Sequence, residues 1–178
     1  MSSICEKSIR TCISASCDNP IFSGIEGIGY VFNKSDIESM TTGGTTDPNV
    51  ITEINMKEVS AGVNYTGFQV KQINKQPFSG TNTAMNEGTV QNTFTETVQF
   101  LVADHSPAAA MLLDNIANGK FVFVLVNEYT GSDSRAKYQV YGAKKGLVCS
   151  EMTREAYSDE NNGAWSVTLT AEGCPNRK

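Results

Sequence analysis

The sequence predicts a mainly β fold, a β-sandwich or partial barrel of about seven strands with one flanking α-helix. Three observations lead there. Charged residues make up only 19% of the chain, and Gly, Thr, Asn and Ser fill much of what the 39% hydrophobic residues leave. That balance suits a turn-rich β protein better than a helical bundle. The stretch 94–102 alternates, with Phe94, Val98, Phe100 and Val102 on one face and Thr95, Thr97, Gln99 and Leu101 on the other. A single helical signature stands in mid-chain: Ser106 as cap, Pro107 in the first turn, strong helix formers through Ile116, and Asn118-Gly119 as the stop.

Taken in order, residues 1–24 contain Cys5, Cys12 and Cys17 but no sustained period, and read as an N-terminal arm. Residues 25–178 read as one β domain, a size that buries a core without disulfides or metal. Its first strand is 25–32, where Gly27 and Gly29 permit a bulge or a close backbone approach. Residues 41–49, with Gly43-Gly44 and Asp47-Pro48-Asn49, read as a loop. Strands follow at 50–56 and 65–73. Residues 76–90 are polar and glycine-rich, and are expected as either a disordered loop or one that orders only against a neighbouring subunit. The helix is expected to pack through Leu112, Leu113 and Ile116. The run 121–126 is apolar on both faces, so it is expected at the centre of a sheet under that helix. Turns at 130–134 and 142–146 bracket a strand at 136–141, and another strand runs near 147–156. Asn162-Gly163 then signals a hairpin into 164–169.

The net charge of −5 opposes phosphate binding, and no basic stripe is present; Lys144-Lys145 reads as a solvated turn. No stretch reaches the length of a membrane span, and the N-terminus lacks the pattern of a secretory signal. The expectation is therefore a reducing, cytoplasm-like compartment in which the five cysteines are thiols.

No catalytic, cofactor or metal residues are assigned. His105 is the sole histidine, which removes the common metal and nucleophile arrangements; with Asp104 it reads as a polar strand-to-helix corner. Cys5, Cys12 and Cys17 lack zinc-knuckle spacing, although zinc shared with Cys149 or Cys174 is a second possibility. Gly24-x-x-Gly27-x-Gly29 has the wrong order for a dinucleotide fingerprint. The acidic turn 159–163 lacks the later Glu of a calcium loop. Glu96 alternates onto the apolar face of its strand, and is expected at the edge of the core or paired with a neighbour's cation.

The order of the long strand from Asn92, the helix from Pro107, the strand beginning Gly119-Lys120-Phe121, then Tyr138-Gln139-Val140-Tyr141-Gly142 and Gly163-Ala164-Trp165-Ser166 resembles bacteriophage tail-tube subunits. The likeness is to structural proteins of phages and prophages of gut Bacteroidetes, and covers residues 90–172. It implies a tail-tube-like, non-catalytic virion protein, assembled in the bacterial host cytoplasm. Copies of the chain would close into rings, hexameric in that family, stacked through loops and arms against neighbouring tail or portal proteins. The bore would pass DNA without sequence recognition. A portal-proximal ring, collar or capsid-decorating protein is the alternative within the class. A ligand- or glycan-binding β-sandwich is the alternative outside it, for which Trp165, alternating with Val167 and Leu169, points the wrong way, into the core.

Overall fold

The computed structural model describes residues 24–44, 47–72, 74–89, 91–128, 137–157 and 163–174. Two antiparallel four-stranded sheets form a sandwich, with one α-helix at its flank. The first sheet has the order β10-β9-β1-β6: β1 is Ile25–Asn33, β6 Phe68–Lys71, β9 Phe121–Asn127 and β10 Tyr138–Tyr141. The second has the order β11-β12-β8-β7: β7 is Asn82–Asn86, β8 Thr93–Val102, β11 Val148–Arg154 and β12 Trp165–Cys174. The expected fold class is therefore what the chain adopts. The N-terminal arm, the turn at 130–134 and most of the acidic turn 159–163 lie outside the described residues.

The core is the meeting of the two inner faces. Val98 and Phe100 of β8 and Val167 and Leu169 of β12 pack against Phe121, Phe123 and Leu125 of β9. The rings of Phe100 and Phe123 lie 5.4 Å apart at 33°. The alternation read in 94–102 is thus the true facing of β8. As expected for an interior strand, β9 buries both faces, with Val122 and Val126 hidden on the side away from this cluster.

Gly27 is glycine for space. A Cβ there would stand 2.5 Å from the Gln72 carbonyl oxygen, and the β1–β9 register slips between Ile25 and Gly29. The sequence motif Gly24-x-x-Gly27-x-Gly29 is thereby accounted for as strand packing.

The second sheet is longer than its partner strands, and its open edge is closed by side chains. β7 pairs with β8 only from Asn82↔Thr97 to Asn86↔Thr93. Beyond it, the Gln99 amide donates to Thr81 Oγ1 at 3.3 Å. The Leu101 amide donates to Gln72 Oε1, and Gln72 Nε2 donates back to the Leu101 carbonyl, both at 2.9 Å. Buried Gln72, just past the end of β6, thus imitates a strand neighbour and ties the two sheets together. Gln72→Met keeps the volume but strips both bonds from a partly buried backbone. It is expected to cost about 1–3 kcal/mol, read by urea unfolding.

The helix α1, Pro107–Asn118, is capped as the sequence indicates: Ser106 Oγ accepts the Ala109 amide at 3.2 Å. Its buried face is corrected, however. Ala109, Leu113 and Ile116 turn inward, whereas Leu112 is 50% exposed. The helix rests principally beside β11, so the face pointing at β11 and the core is the i, i+4, i+7 stripe. Leu113→Ala should cost about 2–5 kcal/mol, and Leu112→Ala less than about 0.5 kcal/mol. Equal shifts in thermal unfolding would contradict this facing. Gly119 ends the helix with φ −92, outside the left-handed region; a Cβ there would run into the Phe121 ring. The residue is glycine because the chain must turn tightly against its own next strand.

Two further expectations are corrected. Residues 41–49 are not one loop. β2, Ile37–Gly43, and β3, Asp47–Met56, form a hairpin around Gly44, whose φ of +71 suits the turn. The stretch 76–89 is not loop throughout: it contains β7, which pairs with β8, and Phe78, which is anchored in the core. That ring is 2% exposed in the core although its backbone has a φ of 53, uncommon for an aromatic residue. The strand expected over 65–73 is the shorter β6, with Ile73 outside the described residues.

Candidate functional surfaces

The largest departure from a plain sandwich lies between β1 and β6. These strands are antiparallel neighbours, with Val31 opposite Phe68, so a turn of about 2–5 residues would join them. Instead the connection carries the β2–β3 hairpin and a second small hairpin, β4 Glu58–Ser60 with β5 Val63–Asn64. Neither hairpin pairs with a strand of the sandwich. Their base is pinned by backbone bonds from Lys57 to the Asp36 carbonyl and from Tyr65 to the Lys57 carbonyl. Val50, Val59, Val63 and Tyr65 in this arm are exposed, at 52%, 56%, 55% and 42%. Backbone pairing orders the arm, and little of its side-chain surface is used within the chain.

A second surface is a cleft of about 560 Å³ between β6 and α1, opening onto the interior of the sandwich. Its floor is Phe100, Phe123 and Leu169, and its rim carries exposed Phe68 and Leu112. A smaller depression of about 260 Å³ lies beside the start of the helix, among Asp104, His105, Leu113, Arg154 and Trp165. Trp165 packs partly buried against the core, and no displayed tryptophan platform is present among the described residues.

Asp104 and His105 do stand at the strand-to-helix corner. Both Asp104 oxygens are engaged by Ser106: Oδ1 accepts its amide at 2.8 Å and Oδ2 its hydroxyl at 3.0 Å. These bonds hold the Asp104 carboxyl below its ordinary range, with His105 adding in the same direction. The pair reinforces the helix cap. Lys144 and Lys145 are exposed in the turn after β10, as expected. The Lys34 ammonium donates to the Ala143 carbonyl in this same turn, and partial burial, then nearby Lys144, lowers its pKa.

Glu96 corrects its expected place. It is 4% exposed, inside the apolar face rather than at its edge. Its Oε2 accepts the Gly142 amide at 2.6 Å, joining the second sheet to the turn that leaves the first. Cys174 is fully buried in the core cluster, and its thiol pKa is raised by burial first and by Glu96 second. Burial raises the Cys149 thiol as well. Both are therefore protonated packing groups at neutral pH. Among the described residues no three His, Cys, Asp or Glu side chains gather as a metal-holding group; Cys5, Cys12 and Cys17 lie outside those residues.

The sequence reading missed the arm because β2, β4 and β5 bury little, and an exposed strand has no apolar alternation to read. Pro48 and the paired glycines signalled the hairpin tip, and they overshadowed the strands beside it. Compared with known proteins, the chain matches no family model, no curated protein and no solved structure.

Proposed function

We propose that this chain is a non-catalytic structural subunit that assembles with copies of itself into a ring or tube, in the manner of a phage tail-tube protein of the virion. The observation that carries the reading is the arm between β1 and β6. It interrupts a connection that needs only a short turn, it is ordered by its own hairpins, and it holds half-exposed Val50, Val59, Val63 and Tyr65 away from the core. A long connection with its own structure is most often a functional one. An arm on one copy seated against a different surface of the next is a heterologous contact, which closes into a ring or continues as a tube. Among the described residues the two sheets end in β6 and β10 and in β7 and β11, edges at which strand addition by a neighbour is a further route to assembly. A portal-proximal ring, collar or decorating protein would use the same features. The virion setting and the passage of DNA rest on the sequence resemblance, with the net charge of −5 favouring a bore to which phosphate does not adhere.

Shortening the arm tests the reading. Ser39 and Asn55 are register partners, so replacing residues 40–54 with Asn-Gly leaves a closed hairpin at the base. The shortened protein, carrying also Val59→Ser, Val63→Ser and Tyr65→Ser in the second hairpin, should melt cooperatively within a few degrees of the parent yet sediment as a monomer. Assembly equal to that of the parent chain would contradict the role given to the arm.

A further inference from the structure

The edge strand β6 leaves one side of the first sheet open, and its hydrogen bonds show which of its groups are free. The Gln72 amide donates to the Gly27 carbonyl at 2.7 Å, in register with the pairs Lys71↔Ile28 and Val70↔Gly29. In an antiparallel pair, successive residues point their backbone groups alternately toward the partner strand and away from it. Phe68, Val70 and Gln72 therefore bond to β1. Gln69 and Lys71 turn their amides and carbonyls outward, to an edge with no strand beside it among the described residues. The side chains alternate as well. Val70 packs on the core and Phe68 shares its face, beside the cleft that Leu112 borders from the helix, whereas Gln69 and Lys71 stand on the opposite, exposed face. An occupant of this edge needs backbone groups for Gln69 and Lys71, apolar side chains on one face and polar ones on the other. An amphipathic β-strand meets all three requirements.

The arm contains one. Met40 pairs with Ile54 and Thr42 with Ile51, the register shifting between Thr41 and Thr42 so that Thr52 is passed over. Cross-strand partners share a face, so Met40, Ile51 and Ile54 lie together on one side of the β2–β3 hairpin. Ser39 with Asn55, and Thr41 with Glu53, lie on the other. The outer edge of β3, like that of β6, has no strand beside it among the described residues. Charge is complementary too: with the apolar residues turned to the cleft, exposed Glu53 comes to the face that carries exposed Lys71. The depression beside edge strand β11 is flanked instead by Asp104, Asp114 and Arg154, a poor seat for an apolar face.

We propose that β3 of one copy adds to β6 of the next as a fifth strand of the first sheet, with Ile51 and Ile54 turned to the cleft and Glu53 beside Lys71. This rests on the assembly reading and names the surface that receives the arm. Both strands are ordered before they meet, so little further chain has to be fixed on contact.

Sedimentation of full-length variants beside the parent chain tests it. Gln69→Pro deletes an outward amide of β6 and none of its bonds to β1, and an edge strand tolerates proline at such a position. It should melt cooperatively and sediment as a monomer. This variant keeps its own β3, and the shortened protein keeps its β6, so mixing the two monomers should yield a complex of one copy of each. Glu53→Lys and Lys71→Glu should each weaken association by about fivefold, and the two together should restore it. That exchange of charges decides the question if Gln69→Pro does not fold. A parent chain that never associates would overturn the assembly reading and this inference together. A parent that assembles, with Gln69→Pro assembling equally well or the paired charge exchange restoring nothing, would overturn this inference alone. So would a mixture of Gln69→Pro and the shortened protein that stays monomeric.

Discussion

Phe123→Ala is expected to lower the unfolding free energy by about 3–5 kcal/mol. In a chain of this size that is a fall in melting temperature on the order of 10 °C. Phe123 is 1% exposed, stands on the central strand β9, and meets Phe100 of the opposite sheet ring to ring. Its removal takes away the transfer energy of a phenyl group and leaves a void that the two sheets, tied through Gln72 and Glu96, can close only in part. The control is Phe68→Ala on edge strand β6. That ring is 61% exposed, and the same deletion there should cost less than about 1 kcal/mol. Similar losses at the two positions, measured by urea unfolding, would mean that the core does not lie between β8 and β9.

Gly142→Ala is expected to be nearly as damaging, at about 2–5 kcal/mol, from backbone strain and overpacking together. Gly142 has a φ of +77, and a Cβ would lie 2.8 Å from the Phe121 carbonyl oxygen and 2.9 Å from the Leu147 nitrogen. Those two atoms belong to the paired bonds by which β9 holds the strand leading into the second sheet: Leu147 donates to Phe121 at 2.7 Å, and Phe121 back to Leu147 at 2.9 Å. The Gly142 amide itself serves Glu96, and its carbonyl accepts from Gly146 at 2.8 Å. Four elements thus converge on a position with no room for a side chain. Gly44 and Gly62, also at positive φ, have nothing within 4 Å of a built Cβ. Alanine at either should show the strain alone, about 1–2 kcal/mol. If Gly142→Ala costs no more than those, the junction is looser than described.

How far the fold could be read from the chain depended on burial. The strands β8, β9 and β12 carry the core, and their apolar residues fall at the strand period, so their existence and the inward set Val98, Phe100, Val167 and Leu169 were legible. The helix was legible through Ser106, Pro107 and Gly119. Its facing was misread because Leu112 and Leu113 are adjacent and equally apolar, and only the position of β11 decides which one is covered. The peripheral strands were not legible. β7 is Asn-Thr-Ala-Met-Asn, a sequence that reads as loop, and what makes it a strand is the unpaired half of β8 next to it.

The same physics limits what the sequence says about surfaces. Glu96 looked like a charge that should escape the core, because nothing local announces that the Gly142 amide will be delivered to it from the far sheet. The amide side chain of Gln72 carries no signature that separates it from a solvated glutamine. The arm and the cleft both bring together apolar residues distant in sequence: Phe68 and Leu112 border one cleft only after β6 and α1 are in place.

Self-assembly is the claim on which the functional reading stands, and the mass of the purified full chain in solution, taken together with negative-stain electron microscopy of the same sample, tests it most directly. The account predicts a discrete multiple of the 19.2 kDa chain mass and images of closed rings or stacked tubes. A strict monomer over the whole accessible concentration range, with featureless fields in the microscope, would contradict it.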